Sequence, residues 1–342
     1  MAYISFSPKD YFNSVLYTGN GSTNAITGTG FQPDWVWCKK RNSAQDHGAV
    51  DAVRGVTKVV YPNLNSAEST DANSVTAFGT DGFTLGSSGD FNQNSDTYVS
   101  WNWRAGAGAG SSNTDGSINT TSTSVNTTAG FSISTYTGTG SNATIGHGLG
   151  AVPRFMLIKN RTDASTDWIV YHHALGNASV LHLNTTDNEQ AASGVFNSTT
   201  PTSSVITLGT DSKSNGSGKN YVCYAFAEKP GFSKAGFYRG NNITDGTFAY
   251  TGFKPAFILM KRNTAGSSWS LIDNKIPRYN ETDKYIITDT SAAEQSTAVD
   301  ILSHGFKLRT TGGNQNASAT YYFVAFADMP MVGSNNTPAL AR

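Results

Sequence analysis

Apolar residues along this chain fall in short bursts that are either unbroken or alternate with polar ones. Trp35-Val36-Trp37-Cys38, Phe155-Met156-Leu157-Ile158 and Phe257-Ile258-Leu259-Met260 are unbroken. Such bursts, rich in Val, Ile, Phe, Tyr, Trp and Thr and bounded by Gly, Asn, Asp and Ser, predict β-strands. Long helical periodicities are scarce, and the DAVRGVTKVV and HHALGNASV segments leave room for one helical turn each. An unbroken run predicts a strand covered on both faces.

The three unbroken runs belong to a longer repeat. Each follows a proline, at positions 33, 153 and 255, and each ends on Lys39, Lys159 or Lys261. Upstream lie the turn signals Tyr17-Thr-Gly, Tyr136-Thr-Gly and Tyr238-Arg-Gly. Downstream come TAFGTDGFTLG, ITLGTDSKSNG and DILSHGFKLRT, then the closing strands YVSWNWRAG, YVCYAFAEKPG and YYFVAFADMP. Four landmarks in one order predict an all-β chain: a tandem array of three homologous antiparallel β-sandwich modules, with jelly-roll and immunoglobulin-like connectivity both open.

The expected boundaries are an N-terminal segment 1–13, modules at 14–104, 130–231 and 232–331, a linker at 105–129 and a tail at 332–342. The Ala/Gly start of the linker reads as flexible, and INTTSTSVN within it is a candidate edge strand. Repetition of this kind is expected to give three linked cores that extend a surface.

Composition narrows the function classes. With 24 Lys+Arg against 24 Asp+Glu the net charge is zero, so no long-range field favours nucleic acid. Charged residues are only 14% of the 342, and the polarity comes from Ser, Thr, Asn and 35 Gly. No apolar stretch approaches the roughly 18 residues of a membrane helix, so membrane insertion is not expected. The start MAYISFSPKD has no signal-peptide pattern, and the chain is read as made in a cytoplasm.

Aligning the modules tests each residue that might carry chemistry. Cys38 shares a slot with Ile158 and Met260, and Cys223 with Phe323, so both read as buried unpaired thiols. Trp35, Trp37, Trp101 and Trp103 align with apolar or aromatic residues and read as core. Trp168 and Trp269 align with each other and with the region of His47, in a shared packing role or as an exposed platform. His172 aligns with Asp51 and Asp273, and His172-His173 is a possible weak metal pair. Glu68, Glu189 and Glu294 recur as turn caps or partners of a strand-end cation. The cations closing each central strand read as a solvated strand end, with a phosphate-binding edge as the alternative. No nucleophile elbow, Walker loop, HExxH or EF-hand pattern is present. No catalytic residue, metal ligand or cofactor is expected.

Binding is expected in the loops that differ most between modules: Asp163 to Trp168, Gln190 to Pro201 and Arg278 to Lys284, with Asp163, Trp168, Trp269, Arg278 and Lys284 as candidate contacts. The segment Ser5 to Asn13, with Phe6, Pro8, Tyr11 and Phe12, is a candidate docking tag.

DAVRGVTK, SAExTDANSxTxFGTDGFTLGS, TYVSWNWRAG, NTDGSIN, TAGFSISTYTGTGxNATIGHGLG and FVAFADMP, in this order, resemble an uncharacterised repeat-domain family of marine phage genomes, over Phe12 to Arg342. The resemblance implies a virion structural protein, released by lysis, most naturally a tail fibre or tail-associated adhesin. It would meet other virion proteins and a host-surface glycan, as a homo-oligomer with a trimer expected. A head decoration or head-fibre protein is the alternative, and a lectin or depolymerase comes from a different class.

Overall fold

In the computed structural model, described for residues 6–264, 266–276 and 280–330, the chain is all-β. Three inner sheets share one strand order. The first runs Phe12–Thr18, Thr97–Trp103, Trp35–Lys40, Gly48–Asp51. Its counterparts are Phe131–Thr137, Asn220–Phe226, Phe155–Asn160, Ile169–His172 and Ser233–Arg239, Thr320–Phe326, Phe257–Arg262, Ser270–Asp273. All pairings are antiparallel, and equivalent residues sit opposite each other: Trp35 on Trp103, Phe155 on Phe226, Phe257 on Phe326.

Each inner sheet backs onto a short outer pair: Asn24–Thr27 with Gly82–Leu85, which Val75–Gly79 extends to three strands, Ala143–Gly146 with Val205–Leu208, and Phe248–Tyr250 with Gly305–Leu308. In the third module the inner and outer strands join into one continuous eight-stranded sheet. Helical turns occur at Gly89–Asn92, Ser193–Phe196 and Ser212–Asn215, and the two segments expected to hold one form turns instead.

The upstream turn signals have a steric cause. A Cβ on Gly19, Gly138 or Gly240 would stand 2.1, 2.5 or 2.1 Å from the carbonyl oxygen of Gln93, Gly216 or Ala317, too close for any other residue. The tyrosine two residues before each glycine stacks on its cross-strand partner, in the pairs Tyr17–Tyr98, Tyr136–Tyr221 and Tyr238–Tyr321, with centroids 5.1, 5.1 and 5.0 Å apart.

The unbroken runs are buried on both faces, and the two faces meet different cores. Ile258 and Met260 point into the third module's own sandwich, whereas Phe257 and Leu259 join a cluster drawn from all three modules. At its centre Trp103, Phe226 and Phe326, which hold equivalent positions, form a triangle with centroids 6.4, 5.7 and 5.3 Å apart. The three modules therefore close into a ring around a pseudo-threefold axis. Beside the three linked cores that the repeats lead one to expect, a fourth, shared core holds the ring together.

The Ala/Gly start of the linker is also ordered by a specific contact. The buried Asp34 carboxylate accepts the N–H groups of Ala105, Ala107 and Gly108 at 2.7, 3.0 and 2.7 Å. Further on, Ser122–Asn126 pairs with Phe131–Thr137, and Ile118 bridges to Ile145. The linker thus seals the open side of the second module on both layers. The link between the second and third modules, residues 227–232, is too short to do the same.

Candidate functional site

Side chains repeated in all three modules converge on the seams between them. The Glu68 N–H donates to the Arg161 carbonyl at 3.0 Å, Glu189 N–H to Asn263 at 3.1 Å, and Glu294 N–H to Arg41 at 3.0 Å. Module one thereby meets two, two meets three, and three returns to one. Arg161 grips Glu68 through two bonds, 2.8 and 2.9 Å, and Arg41 reaches Glu294 at 2.9 Å. In the seam between modules two and three Asn263 stands in place of the arginine, and its contact with Glu189 is the backbone bond.

The lysines closing the central strands are fully buried, which overturns the solvated-strand-end reading. Lys39 donates to the Ser291 carbonyl at 3.2 Å and Lys159 to that of Asn65 at 3.2 Å. Lys261 donates to the Thr185 carbonyl at 3.1 Å. Each also bonds a carbonyl of its own module: Lys40, Thr166 and Ser267. Burial pushes all three ammonium groups down to about 8, because their partners are neutral carbonyls.

A ring N–H crosses each seam as well. Trp168 Nε1 donates to the Tyr61 carbonyl at 3.0 Å and Trp269 Nε1 to that of His182 at 2.8 Å. In the remaining seam His47 Nε2 lies 3.1 Å from the Ile287 carbonyl, while its Nδ1 accepts from Trp37 Nε1 at 3.0 Å. The two contacts fix the Nε2–H tautomer. Burial, followed by the charge of Lys39, holds His47 well below its ordinary pKa.

Deeper in the seams, Tyr224 donates to Asp51 at 2.7 Å and Trp101 Nε1 to Asp273 at 2.8 Å. The third module has Val324 at this place, which has no donor, and the position opposite is His172, whose Nε2 meets the Phe323 carbonyl at 3.1 Å. A carboxylate there would face that carbonyl unpaired. Val324 and His172 also line a narrow crevice with Leu259 and Trp269 that is too tight to hold water. The second imidazole, His173, bonds the Ala235 carbonyl at 3.1 Å. Among the described residues no three His, Cys, Asp or Glu come together as metal ligands.

The first seam carries an additional ion network. Arg54, fully buried, contacts Asp51 at 2.5 Å and Glu68 at 2.9 Å. Burial works against its charge, but Asp51, Tyr224 and Glu68 outweigh it and raise the guanidinium above its ordinary value. For Glu68 the arginines likewise outweigh burial and lower the carboxyl.

The residues expected to bind or dock are placed as follows. Trp168 and Trp269 are buried at seams, so the platform alternative for them falls. Asp163 is part-exposed and pairs with Lys219 at 2.7 Å. Lys284 is half-buried in the Thr282–Ile287 strand, and Arg278 lies outside the described residues. Phe12 is fully buried in the shared core, 5.0 Å from Trp103 and 5.5 Å from Phe326. Pro8 is buried, Phe6 packs on Tyr11 and Phe232 at 5.0 and 5.5 Å, and Tyr11 is half-buried. The side chains proposed as a docking tag thus close one end of the ring. Both cysteines are free and buried, as expected, with thiols pushed up to about 12 by burial.

Sequence reasoning missed one exposed constellation, on the outer face of the third module. Phe248 and Tyr250 are 46% and 63% exposed, and the alternation of their strand puts both on the solvent side with Ala249 facing the core. Phe248 sits opposite Lys307, which sits opposite Asp300, and Tyr250 sits opposite Gly305. Asp245 bonds Lys307 at 2.6 Å and Arg309 at 3.1 Å, and Arg309 bonds Asp300 at 2.8 Å. Lys307, then Arg309, hold the Asp245 carboxyl below its ordinary range. The signal was available in the alignment: the same positions are Ala25 and Thr27 in the first module and Thr144 and Gly146 in the second.

Fold and seams together define an all-β protein of three sandwiches closed around a common aromatic core. Residues 7–330 match a family described as a domain of unknown function, DUF7483, and the chain belongs to that family. The matched span takes in all three modules as one unit. No curated protein matches the sequence.

Proposed function

We propose that the protein is a structural component of a bacteriophage particle, carried on the tail as a fibre or tail-associated adhesin that contacts the host surface. One observation supports this reading most. The lysines, the seam-forming glutamates and the ring N–H donors that the chain repeats form seams between modules, so what is repeated is a rigid closed body. Chemistry confined to one module would need no such repetition. In this reading the protein has no catalytic role and no cofactor. It sits among other virion proteins, as a single pseudo-threefold body or as the trimer of chains that fibres favour.

Immunogold electron microscopy of purified particles, with an antibody to the third module, tests the proposal. Label on tail appendages is the expected result. Label spread over the head would make the protein a decoration component, and particles without label would overturn the virion reading.

A further inference from the structure

We propose that the outer face of the third module is a saccharide-binding site, with Phe248 and Tyr250 as stacking platforms and the Asp245–Lys307–Arg309 network as the hydroxyl-binding edge. The proposal takes its biological setting from the host-contact reading above and names the ligand class.

Both rings are open to solvent. A Cβ on Gly305 would stand 2.9 Å from two edge atoms of the Phe248 ring, so that ring lies beside the glycine, where no side chain intervenes. Tyr250, two residues on, projects from the same side, about 7 Å along the strand. The C–H face of a pyranose is apolar and flat and covers such a ring, while its hydroxyls need donors and acceptors beside it. Both are present: Lys307 and Arg309 donate, and Asp245, 76% exposed and kept ionised by its cations, accepts.

Charge complementarity selects the ligand. Lys307 and Arg309 face Asp245 and Asp300 in a closed network, so the edge carries no excess charge and fits a neutral sugar better than a polyanion. Two rings in a polar surround are also few for a stable protein interface, which needs a larger apolar centre. The other two modules serve as internal controls, since Ala25, Thr27, Thr144 and Gly146 offer no ring at the equivalent places. The linker further covers that side of the second module.

Affinity electrophoresis of the full chain through gels containing dextran, laminarin, mannan, xylan or alginate tests the site. The wild type is expected to be retarded by at least one neutral polysaccharide. Tyr250→Ala should weaken that retardation about tenfold and Phe248→Ala/Tyr250→Ala should abolish it, while Thr27→Ala leaves it unchanged. Tyr250 is the more exposed ring, so its single variant keeps the test valid if the double variant folds poorly. Free migration of the wild type in all five gels, retardation by alginate alone, or unchanged retardation of Tyr250→Ala would overturn the proposal. Particle labelling separates the two ideas: tail label with unaltered Tyr250→Ala binding removes the site and keeps the virion reading. Lost binding without label does the reverse.

Discussion

Raising the pH from 7.5 to 9 is expected to stabilise this protein, through the three buried lysines. Each has a folded pKa of about 8 against an ordinary value near 10.4. Between those values the folded chain has released protons that the unfolded chain still binds, so unfolding free energy climbs with pH. Integrated over the interval, each lysine contributes about 1.2 kcal/mol and the three together about 3.5 kcal/mol. The thiols of Cys38 and Cys223 act in the opposite sense. Their folded pKa of about 12 means that the unfolded chain ionises first, at a cost of about 0.4 kcal/mol each by pH 9. The buried tyrosines act the same way but only at higher pH, which is why the interval stops at 9. A net gain of about 3 kcal/mol remains, or roughly 4 °C in melting temperature for a chain of this length.

Urea unfolding followed by tryptophan fluorescence reads the effect directly, because all six indoles are buried. The midpoint should move to higher urea at pH 9 with an unchanged slope. Replacing any one of Lys39, Lys159 or Lys261 by Met should remove about a third of the gain. A midpoint that falls or stays constant between pH 7.5 and 9 would refute the assignment of these lysines as neutral-partnered buried amines.

The seams allow two further comparisons. Glu68→Ala strips one partner from the fully buried Arg54 and should cost about 3 kcal/mol, whereas Glu294→Ala breaks a part-exposed pair with Arg41 and should cost about 1 kcal/mol or less; equal losses in urea titrations would contradict the distinction. His172→Asp should cost about 2 to 4 kcal/mol by burying a carboxylate without a donor, and adding Val324→Tyr should recover part of that loss by rebuilding the Tyr224–Asp51 pairing. A double-mutant coupling below about 0.5 kcal/mol would show that the three seams are not interchangeable in this way.

The β class, the threefold repeat of landmarks and the doubly covered central strands were legible because each rests on local pattern. Ring closure was not, because which loop faces which strand is a long-range choice that leaves little local mark. Lys39 looked like a solvated strand end since nothing within a few residues of it announces the Ser291 carbonyl. The AGAGAG start looked flexible because the carboxylate that binds its N–H groups, Asp34, lies some seventy residues away. Aligning the modules correctly buried the cysteines and the core tryptophans. The same habit of looking for what is shared hid Phe248 and Tyr250, whose interest lies in being present in one module alone. The exchange at Asn263 reads as noise in the alignment, as do those at His172 and Val324, which become one paired substitution once the seams are seen.

Ring closure also sets an order of events during synthesis. Arg41 leaves the ribosome long before Glu294, its partner 253 positions away, and Trp103 must wait for Phe326 to complete the axial triangle. Until the last module emerges, the nascent chain holds a broad aromatic face toward water, the kind of surface that invites aggregation and chaperone capture. Slow production of soluble protein from chains truncated before residue 326, despite two complete sandwiches, is the signature this topology would leave in translation.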